Sequence, residues 1–429
     1  MDAASEARAT GEHYLHAMVR HGISKAQVRI VETERHELNA EVGRLNLMRT
    51  THDLRVVLVG IIDGKRGTVV LNKRDEDALK DAVQELCSVA AGSAPDAAND
   101  IAAAQPAQRF SRGPEAPDHD HMAHRMGETL EHARNRYPTV VIRQGFVDFV
   151  RKHDVLLNSN GVDYETRVGR YGATLMFGAR EGTQQSSFNY TGFVRESLDR
   201  PLHECATTER LLRQSTEQVR TRKVPRKFTG ALVITPDCLD SFLGFLFQGV
   251  SDVPLISGTS AYQDRLGEPV MSTSVSITSR PRELAGGYFV TDDGFEAHDA
   301  PLVEKGVLRS YLLSLYGANK TGMPRADTGG CWVVDPGAAT LDELIGGVEE
   351  GLLITRFSGG RPNDKGDFSG IAKNSYYIRD GALEFPVSET MVSGNLERLL
   401  NDIDAVSKER ADFGHRVYPW VRAGGVGMS

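Results

Sequence analysis

Hydrophobic and polar residues alternate with two different periods along the first half of this 429-residue chain. Alternation with a period of two at 27–35 and an apolar run at 54–62 predict strands, and Asp63-Gly64 predicts the turn to a partner strand at 67–71. Apolar residues three and four apart predict helices at 10–21, 75–90, 126–137 and 202–223. The pattern at 37–49 fits either a strand or a short helix. Further strands are predicted at 139–148, 154–158, 167–179 and 186–193.

The second half contains many short apolar runs that are separated by glycine. Strands are predicted at 230–234, 272–278, 287–290, 306–315 and 331–334, with helices at 239–247 and 341–351. Thr235-Pro236 is a favourable helix start, because proline fits the first turn. Short strands joined by glycine turns indicate a large antiparallel sheet or a barrel-like fold.

Residues 366–406 give the clearest local pattern in the chain. Asp380-Gly381 lies between two short apolar runs and predicts a type I′ hairpin, after which Pro386 should end the ladder because it has no N–H. Leu396, Leu399, Leu400, Ile403 and Val406 then follow helical spacing, and Ser393 or Asn395 can cap that helix.

Together these elements predict an α+β protein with two domains. The expected N-terminal domain, 1–224, mixes antiparallel strands with long helices. The expected C-terminal domain, 225–429, is a large antiparallel sheet or barrel-like fold with a few helices. The boundary is placed at Val224-Pro225, and the Ala/Pro/Asp-rich stretch at 92–120 is interpreted as a surface loop, partly mobile.

Composition narrows the class of protein. A net charge of −8 argues against nucleic acid as a partner, because phosphates require a basic footprint. Cys87, Cys205, Cys238 and Cys331 are scattered without a CxxC pair, which favours reduced thiols. No signal-peptide core and no apolar run of membrane-spanning length is present. We therefore expect a soluble cytoplasmic protein without a membrane partner.

Three groups of residues could carry chemistry, and each has a structural alternative. Residues 118–124 contain three histidines and two aspartates, which could bind a metal or form a solvated loop that leads into a helix. The pairs Asp292-Asp293 and Asp364/Asp367 could act as acid and base, or serve as ordinary turn residues. Cys331 could be a nucleophile with His298 or His415, or a buried structural cysteine.

The amino-acid sequence of the C-terminal segment resembles the signature of the TldD/TldE (PmbA) peptidase-like family. The matching residues read GDFSG from Gly366, PVSE from Pro386 and SGNL from Ser393. Similar blocks occur in the same order elsewhere in the second half: 267–269, 286–294, 301–308, 328–330, 336–337 and 418–422. In the first half, residues 62–67 resemble the family's turn before a long helix.

The resemblance also implies which branch of the family this chain joins. The TldD-like branch resembles zinc peptidases, with HExxxH on the first helix of the second domain and a cysteine near the C-terminus. A gap-free comparison places Leu243 and Gly244 at the start of that motif and Gln248 at its last histidine. No cysteine follows Cys331. The resemblance therefore implies the TldE/PmbA branch, with no metal in this chain and zinc in a partner.

The resemblance implies a subunit that pairs with a TldD-type HExxxH subunit and helps it hydrolyse peptide or amide bonds. Maturation of a peptide-derived natural product is one role that it allows. Two alternatives remain: a metal-independent hydrolase that acts alone through Cys331, and a homodimeric binding or scaffold protein. The sequence does not define the substrate, the stoichiometry, the pathway or any catalytic residue of this chain.

Overall fold

The computed structural model describes residues 3–326 and 329–429, with side chains from Glu6 onward. Thr328, which belongs to one of the blocks that carry the resemblance, lies outside the described residues. Within these residues no helix combines the length and the apolarity needed to cross a membrane. The helices in chain order are α1 Ala3–Arg20, α2 Glu76–Gly92, α3 His119–Arg136, α4 Thr208–Glu217, α5 Asp240–Gly249, α6 Asp252–Ser257, α7 Leu315–Thr321, α8 Leu341–Gly346 and α9 Leu396–Asn401.

The first half of the chain forms an eight-stranded sheet in the order β3-β2-β1-β5-β6-β4, with β7 and β8 paired to β6. All its pairings are antiparallel except that of β4 with β6. The region at 37–49, for which the sequence allows strand or helix, is the end of β1, a turn at Val42-Gly43 and the start of β2. The strands are β1 Lys25–Glu41, β2 Arg44–Ile62, β3 Lys65–Leu71, β4 Gln108–Arg112, β5 Val140–Asn158, β6 Asp163–Glu181, β7 Gln184–Gln185 and β8 Asn189–Arg195.

The helices of the first half cover one face of this sheet. Ile30 and Val155 are partners in register and pack beneath α1 and α2, whereas Leu38 and Val147 pack beneath α3 and α4. Because neighbouring strand residues point to opposite faces, Arg29 and Arg35 project from the other face. The second half of the chain covers part of this face: Leu156, the register partner of Arg29, packs with Phe289 and Val290, and Arg29 reaches to Asp292.

The second half forms a mostly antiparallel sheet of thirteen strands, which confirms the predicted α+β class and its large second sheet. Its main path is β12-β11-β10-β13-β21-β9-β14-β17-β18. The strands are β9 Phe228–Ile234, β10 Ile277–Ser279, β11 Ala300–Glu304, β12 Val307–Leu308, β13 Trp332–Val334, β14 Glu350–Ile354, β15 Arg356–Gly359, β16 Asp367–Lys373, β17 Ser375–Arg379, β18 Ala382–Val387, β19 Thr390–Asn395, β20 Ile403–Asp412 and β21 Arg416–Met428.

Several predicted element bounds differ from those observed. The helix predicted at 202–223 is a short 3₁₀ turn, Leu202–Glu204, followed by α4. The helix predicted at 396–406 ends at Asn401, and Ile403 and Val406 belong to β20. Pro386 lies within β18 and does not end it, which the sheet tolerates because β18 is an edge strand. The division into domains at Val224-Pro225 stays a prediction, although one sheet ends before it and the other begins after it.

The stretch at 92–120, predicted as a partly mobile surface loop, is mostly without regular structure but contains β4 and the first residues of α3, and its polar groups join the two halves of the chain. Its mobility stays a prediction. Tyr316 Oη donates to Asp96 Oδ2 at 2.9 Å, and Asn319 Nδ2 donates to the Ala98 carbonyl at 3.0 Å. The contacts are between residues far apart in sequence, so the composition of the stretch alone gives no sign of them.

Candidate functional site

Helix α5 carries the three positions that the resemblance aligns with a zinc-binding motif. Leu243 is buried in the core of the second half, with 1% of its surface exposed. Gly244 has no side chain, and a Cβ added there would meet open space. Gln248 is exposed. The first and last of these positions therefore point in different directions, one into the core and the other into solvent.

These residues do not fit a zinc ion. Leucine and glycine offer no donor atom, and an amide is a poor substitute for an imidazole. Among residues 3–326 and 329–429, no three His, Cys, Asp or Glu side chains lie close enough together to hold a metal ion. The three aligned positions on α5 therefore supply no ligand set for a zinc-dependent step.

The histidine-rich segment at 118–124 is the start of α3. Asp118 caps this helix by accepting from the His121 backbone N–H at 2.9 Å, as expected of an N-cap aspartate. His119 Nε2 lies 3.0 Å from His36 Nδ1, and the rings of His121 and His124 are 6.5 Å apart. The segment therefore forms the N-cap and first turns of α3, and not the solvated loop before a helix that the structural alternative described.

Asp293 and Asp367, one from each carboxylate pair, are held by structural partners. Asp293 accepts from Arg325 Nε at 2.9 Å and from the Leu315 backbone N–H at 2.8 Å. Burial alone would raise the pKa of Asp293, but the bonds to Arg325 outweigh it and lower that pKa. Asp367 accepts from Asn395 and Asn363, which lower its pKa in the same way. An acid with a lowered pKa is a poor proton donor at neutral pH.

Cys331 is a buried residue in an unusual backbone conformation. It has a φ of 51°, is 8% exposed and packs in a small apolar cluster with Leu284 and Val333. Burial raises the pKa of its thiol to about 11, although Arg170 and Arg112 act in the opposite direction. At pH 7 only about one thiol in ten thousand would be ionised, and the thiolate is the reactive form. His298 is exposed, and His415 is bonded to the Phe413 carbonyl and to Arg416.

We predict that Cys331 is chemically inert in the native protein. Iodoacetamide at pH 7.5 should alkylate Cys87, which is partly exposed on α2, well before Cys331, as read by peptide mass spectrometry. Cys331→Ala should leave any peptidase activity within about twofold, because an uncharged buried thiol contributes only packing. Loss of activity in Cys331→Ala with unchanged folding would instead support a nucleophilic cysteine.

A cavity of about 610 Å³ opens between the two halves of the chain, in front of the Cys331 cluster, and we name it the interhalf cleft. Its walls come from the end of β8, a loop at 283–285 and the hairpin of β20 and β21. Charged side chains of both signs line it: Arg195, Glu196, Glu283, Arg410 and Asp412. Leu284 and Val417 supply apolar surface beside them.

Main-chain hydrogen bonds fix the walls of the interhalf cleft. The Val194 N–H donates to the Phe413 carbonyl at 2.9 Å, and the Gly286 N–H donates to the Gly414 carbonyl at 2.7 Å. Arg195 Nη2 donates to the Asp412 carbonyl at 2.7 Å, and Arg112 Nη1 donates to the Leu284 carbonyl at 2.7 Å. These bonds hold the walls of the cleft in place, so the charged side chains that line it are the groups that remain to contact a ligand.

The sequence does not reveal the cleft residues. Arg195 and Arg410 are isolated charges at strand ends, and nothing near either residue marks it as part of a site. Only the pairing of Val194 with the β20–β21 hairpin brings them together. Of the predicted candidates, Cys331 lies near this cleft behind Leu284, and His415 follows Gly414 in the hairpin that lines it. Leu243, Gly244 and Gln248 do not line it.

Comparison with known proteins places the chain in a class of metallopeptidase-like proteins. Residues 229–429 match a family model described as the PmbA/TldA metallopeptidase C-terminal domain. The Metalloprotease PmbA homolog of Haemophilus influenzae is 24% identical over 424 residues, covering 92% of this chain and 89% of that protein. The second half of the chain therefore matches the PmbA/TldD family, and a PmbA homolog is similar over nearly the whole chain.

Two further comparisons bear on the branch and the fold. The Zinc metalloprotease TldD homolog of Saccharolobus solfataricus is 23% identical over 199 residues, which cover 43% of this chain and 44% of that protein. The crystal structure of TldE from Thermococcus kodakarensis superposes with a TM-score of 0.85 at 17% identity, covering 98% of this chain and all of that one. At 17% identity, the similarity to the TldE structure shows the fold alone.

Proposed function

We propose that this chain is the subunit without zinc in a TldD/TldE-type metallopeptidase that hydrolyses peptide or amide bonds. Helix α5 carries the proposal, because its positions aligned with HExxxH hold a core leucine, a glycine and an exposed glutamine. The chain is similar to the family over most of its length, yet the residues aligned with the zinc motif offer no good zinc ligand. This combination suggests that a second subunit supplies the metal. The similarity to PmbA and TldE proteins supports this assignment.

In this proposal, the interhalf cleft is the contribution of this chain to substrate binding. Its mixed charges can engage the main chain and the ends of a peptide, while the hydrolytic water is activated on the partner. The natural substrate would be an extended or modified peptide, and maturation of a peptide-derived product is one such use. The chain alone would be a homodimer or a monomer without hydrolytic activity.

Co-expression with a TldD-type HExxxH subunit tests the proposal. We expect the two chains to copurify and to contain about one zinc per pair, whereas this chain alone should hold less than about a tenth of an equivalent. Hydrolysis of an unfolded casein substrate should require both chains, and a Glu→Gln change in the partner's HExxxH should abolish it by at least about a hundredfold.

Two results would contradict the proposal. One is stoichiometric zinc, measured by atomic emission, on this chain alone. The other is full peptidase activity of this chain without metal or partner. A stable homodimer that neither binds an HExxxH subunit nor affects its activity would favour the scaffold alternative.

A further inference from the structure

A second cavity, of about 410 Å³, lies where α3, α4 and β21 meet, and we name it the Arg210 pocket. Among the described residues, it shares no lining residue with the interhalf cleft. Arg136 and Tyr137 at the end of α3, His203 in the 3₁₀ turn, Arg210 and Arg213 on α4 and Trp420 on β21 all contribute to its wall. Both halves of the chain therefore build it.

Arg210 is half-buried, and the carboxylates of Asp237, Glu409 and Asp342 act on it only through space. Among the described residues, its guanidinium forms no ion pair and no hydrogen bond, and its Cζ lies 4.9 Å from the centroid of the Trp420 ring. Arginine is seldom buried unless paired, because desolvation of its charge costs free energy. Stacking on an indole leaves the N–H groups at the edge of the guanidinium free to bind a ligand.

Glu209, the acidic side chain next to Arg210, is already engaged elsewhere. Its Oε1 accepts from Tyr137 Oη at 2.8 Å, and its Oε2 lies 2.7 Å from His132 Nε2. This carboxylate is therefore held against α3. The wall of the pocket keeps a surplus of donors over acceptors.

Two buried nitrogen atoms in the wall have no hydrogen-bond partner among the described residues. They are Trp420 Nε1 and His203 Nδ1, on side chains that are 5% and 9% exposed as residues. Buried polar atoms are almost always paired, so the wall of the pocket is a place where the protein itself leaves two polar groups unsatisfied. Burial lowers the pKa of His203, which is therefore neutral at pH 7.

Among the charged residues that line the pocket, Arg136, Arg210 and Arg213 outnumber Glu204 and Glu209 by one. Arg213 lies 3.6 Å from Glu217, and Asp237, Glu409 and Asp342 lie outside the lining within electrostatic reach of Arg210, so an anion would be bound by the N–H groups of Arg210 and not by a net positive field. The apolar surfaces of Tyr137 and Trp420 suit a side chain next to the anionic group. We propose that the Arg210 pocket binds the carboxylate of a small monoanion, such as an amino-acid derivative or the C-terminal end of a short peptide.

Tryptophan fluorescence provides a direct test, because the chain has two tryptophans. In a Trp332→Phe variant, Trp420 is the sole reporter. Titration with N-acetylphenylalanine should change its emission in a saturable manner. N-acetylphenylalaninamide, which lacks the charge, should bind at least about tenfold more weakly, because a charge-assisted hydrogen bond is lost. This comparison requires no change at the pocket itself.

Substitutions then assign the effect to Arg210. Arg210→Gln should weaken binding of the acid by about tenfold or more while the amide is unaffected, and Arg210→Lys should fall between. Arg361→Gln, at an exposed arginine of the second half, is the matched control and should bind like the parent. Circular dichroism and the melting temperature verify folding of each variant.

Three outcomes would overturn the proposal: equal affinity for acid and amide, no saturable change with either ligand, or an unchanged affinity in Arg210→Gln. Saturable binding of inorganic phosphate that excludes the carboxylic acid would also overturn the choice of a monoanion and would assign the pocket to phosphate instead.

Discussion

Replacement of Arg29 by Met is expected to lower the free energy of unfolding by about 3–5 kcal/mol, the usual cost of removing one partner of a buried ion pair. Arg29 donates from Nε and Nη2 to the two oxygens of Asp154 at 2.9 and 2.8 Å. The Asp154 side chain is only 8% exposed, so the variant would leave it with Lys152 as its remaining cationic partner. Urea denaturation followed by circular dichroism measures the loss.

Two controls separate burial of charge from loss of side-chain volume. The double variant Arg29→Met/Asp154→Leu removes both charges and should recover part of the lost stability, because no unpaired carboxylate then remains. Arg151→Met removes a half-exposed arginine that pairs with Glu34 in the same sheet, and it should cost at most about 1 kcal/mol. A loss below about 1 kcal/mol in Arg29→Met would show that Asp154 is not held as described.

The free energy that the Arg29–Asp154 ion pair contributes to stability should change with pH in a definite direction. Burial would raise the pKa of Asp154, but the bonds and charge of Arg29 outweigh it and hold the pKa below the ordinary value of 3.8. The stabilisation that Arg29 gives through Asp154 is therefore complete above pH 3.8 and is lost only as pH falls through the lowered pKa of Asp154. In Arg29→Met burial dominates and raises the pKa. The stability difference between parent and variant should shrink as pH falls from 7 to 4.

Arg29 also joins the halves of the chain, since its Nη1 donates to Asp292 Oδ1 at 2.7 Å. The sequence allows Asp292 as one of a pair of catalytic carboxylates, but its side chain is fully exposed and its observed role is this contact. The pairing joins residues that are 263 positions apart. No local pattern could have predicted it.

Local patterns predict the turns well. Asp380-Gly381 has φ values of 48° and 78°, as its predicted type I′ turn requires, and Asp63-Gly64, predicted as a turn, has 49° and 75°. In each case the cause lies within the two residues, because glycine accepts positive φ without steric cost. These turns can therefore be predicted from the two residues alone, without knowledge of the rest of the chain.

Local patterns fail where pairing with a distant strand decides the structure. Ile403 and Val406 continue the helical spacing of Leu396 and Leu400, but they pair with Ala423 and Val421 on β21. Asn395 does cap the helix as predicted, by accepting from the Arg398 N–H at 3.2 Å. The apolar spacing fits both structures, and only the long-range ladder selects the strand.

The second large effect is expected at Gly414, which lies at the turn between β20 and β21. It has a φ of 79°, and a Cβ added there would lie 1.9 Å from the Val194 carbonyl oxygen on β8. Gly414→Ala must therefore separate the hairpin from the first half of the chain. The bonds from the Val194 N–H to the Phe413 carbonyl and from the Gly286 N–H to the Gly414 carbonyl would be strained or lost.

We expect Gly414→Ala to lower the free energy of unfolding by about 3–5 kcal/mol, which combines left-handed strain of about 1–2 kcal/mol with the cost of unpaired backbone groups. Gly425→Ala is the matched control on β21. Its φ is 75°, but its nearest contact for an added Cβ is Asp402 Oδ2 at an ordinary 3.4 Å. It should therefore show the strain alone, about 1–2 kcal/mol.

The same pair of variants connects the fold to the proposed function. Because Gly414 lines the interhalf cleft, its displacement should reduce substrate hydrolysis by the two-subunit enzyme while zinc stays bound to the partner. Gly425→Ala should retain activity once its stability loss is compensated by a lower assay temperature. If both variants lose the same stability and the same activity, the hairpin does not depend on contact with β8, and these bonds do not hold the walls of the cleft in place.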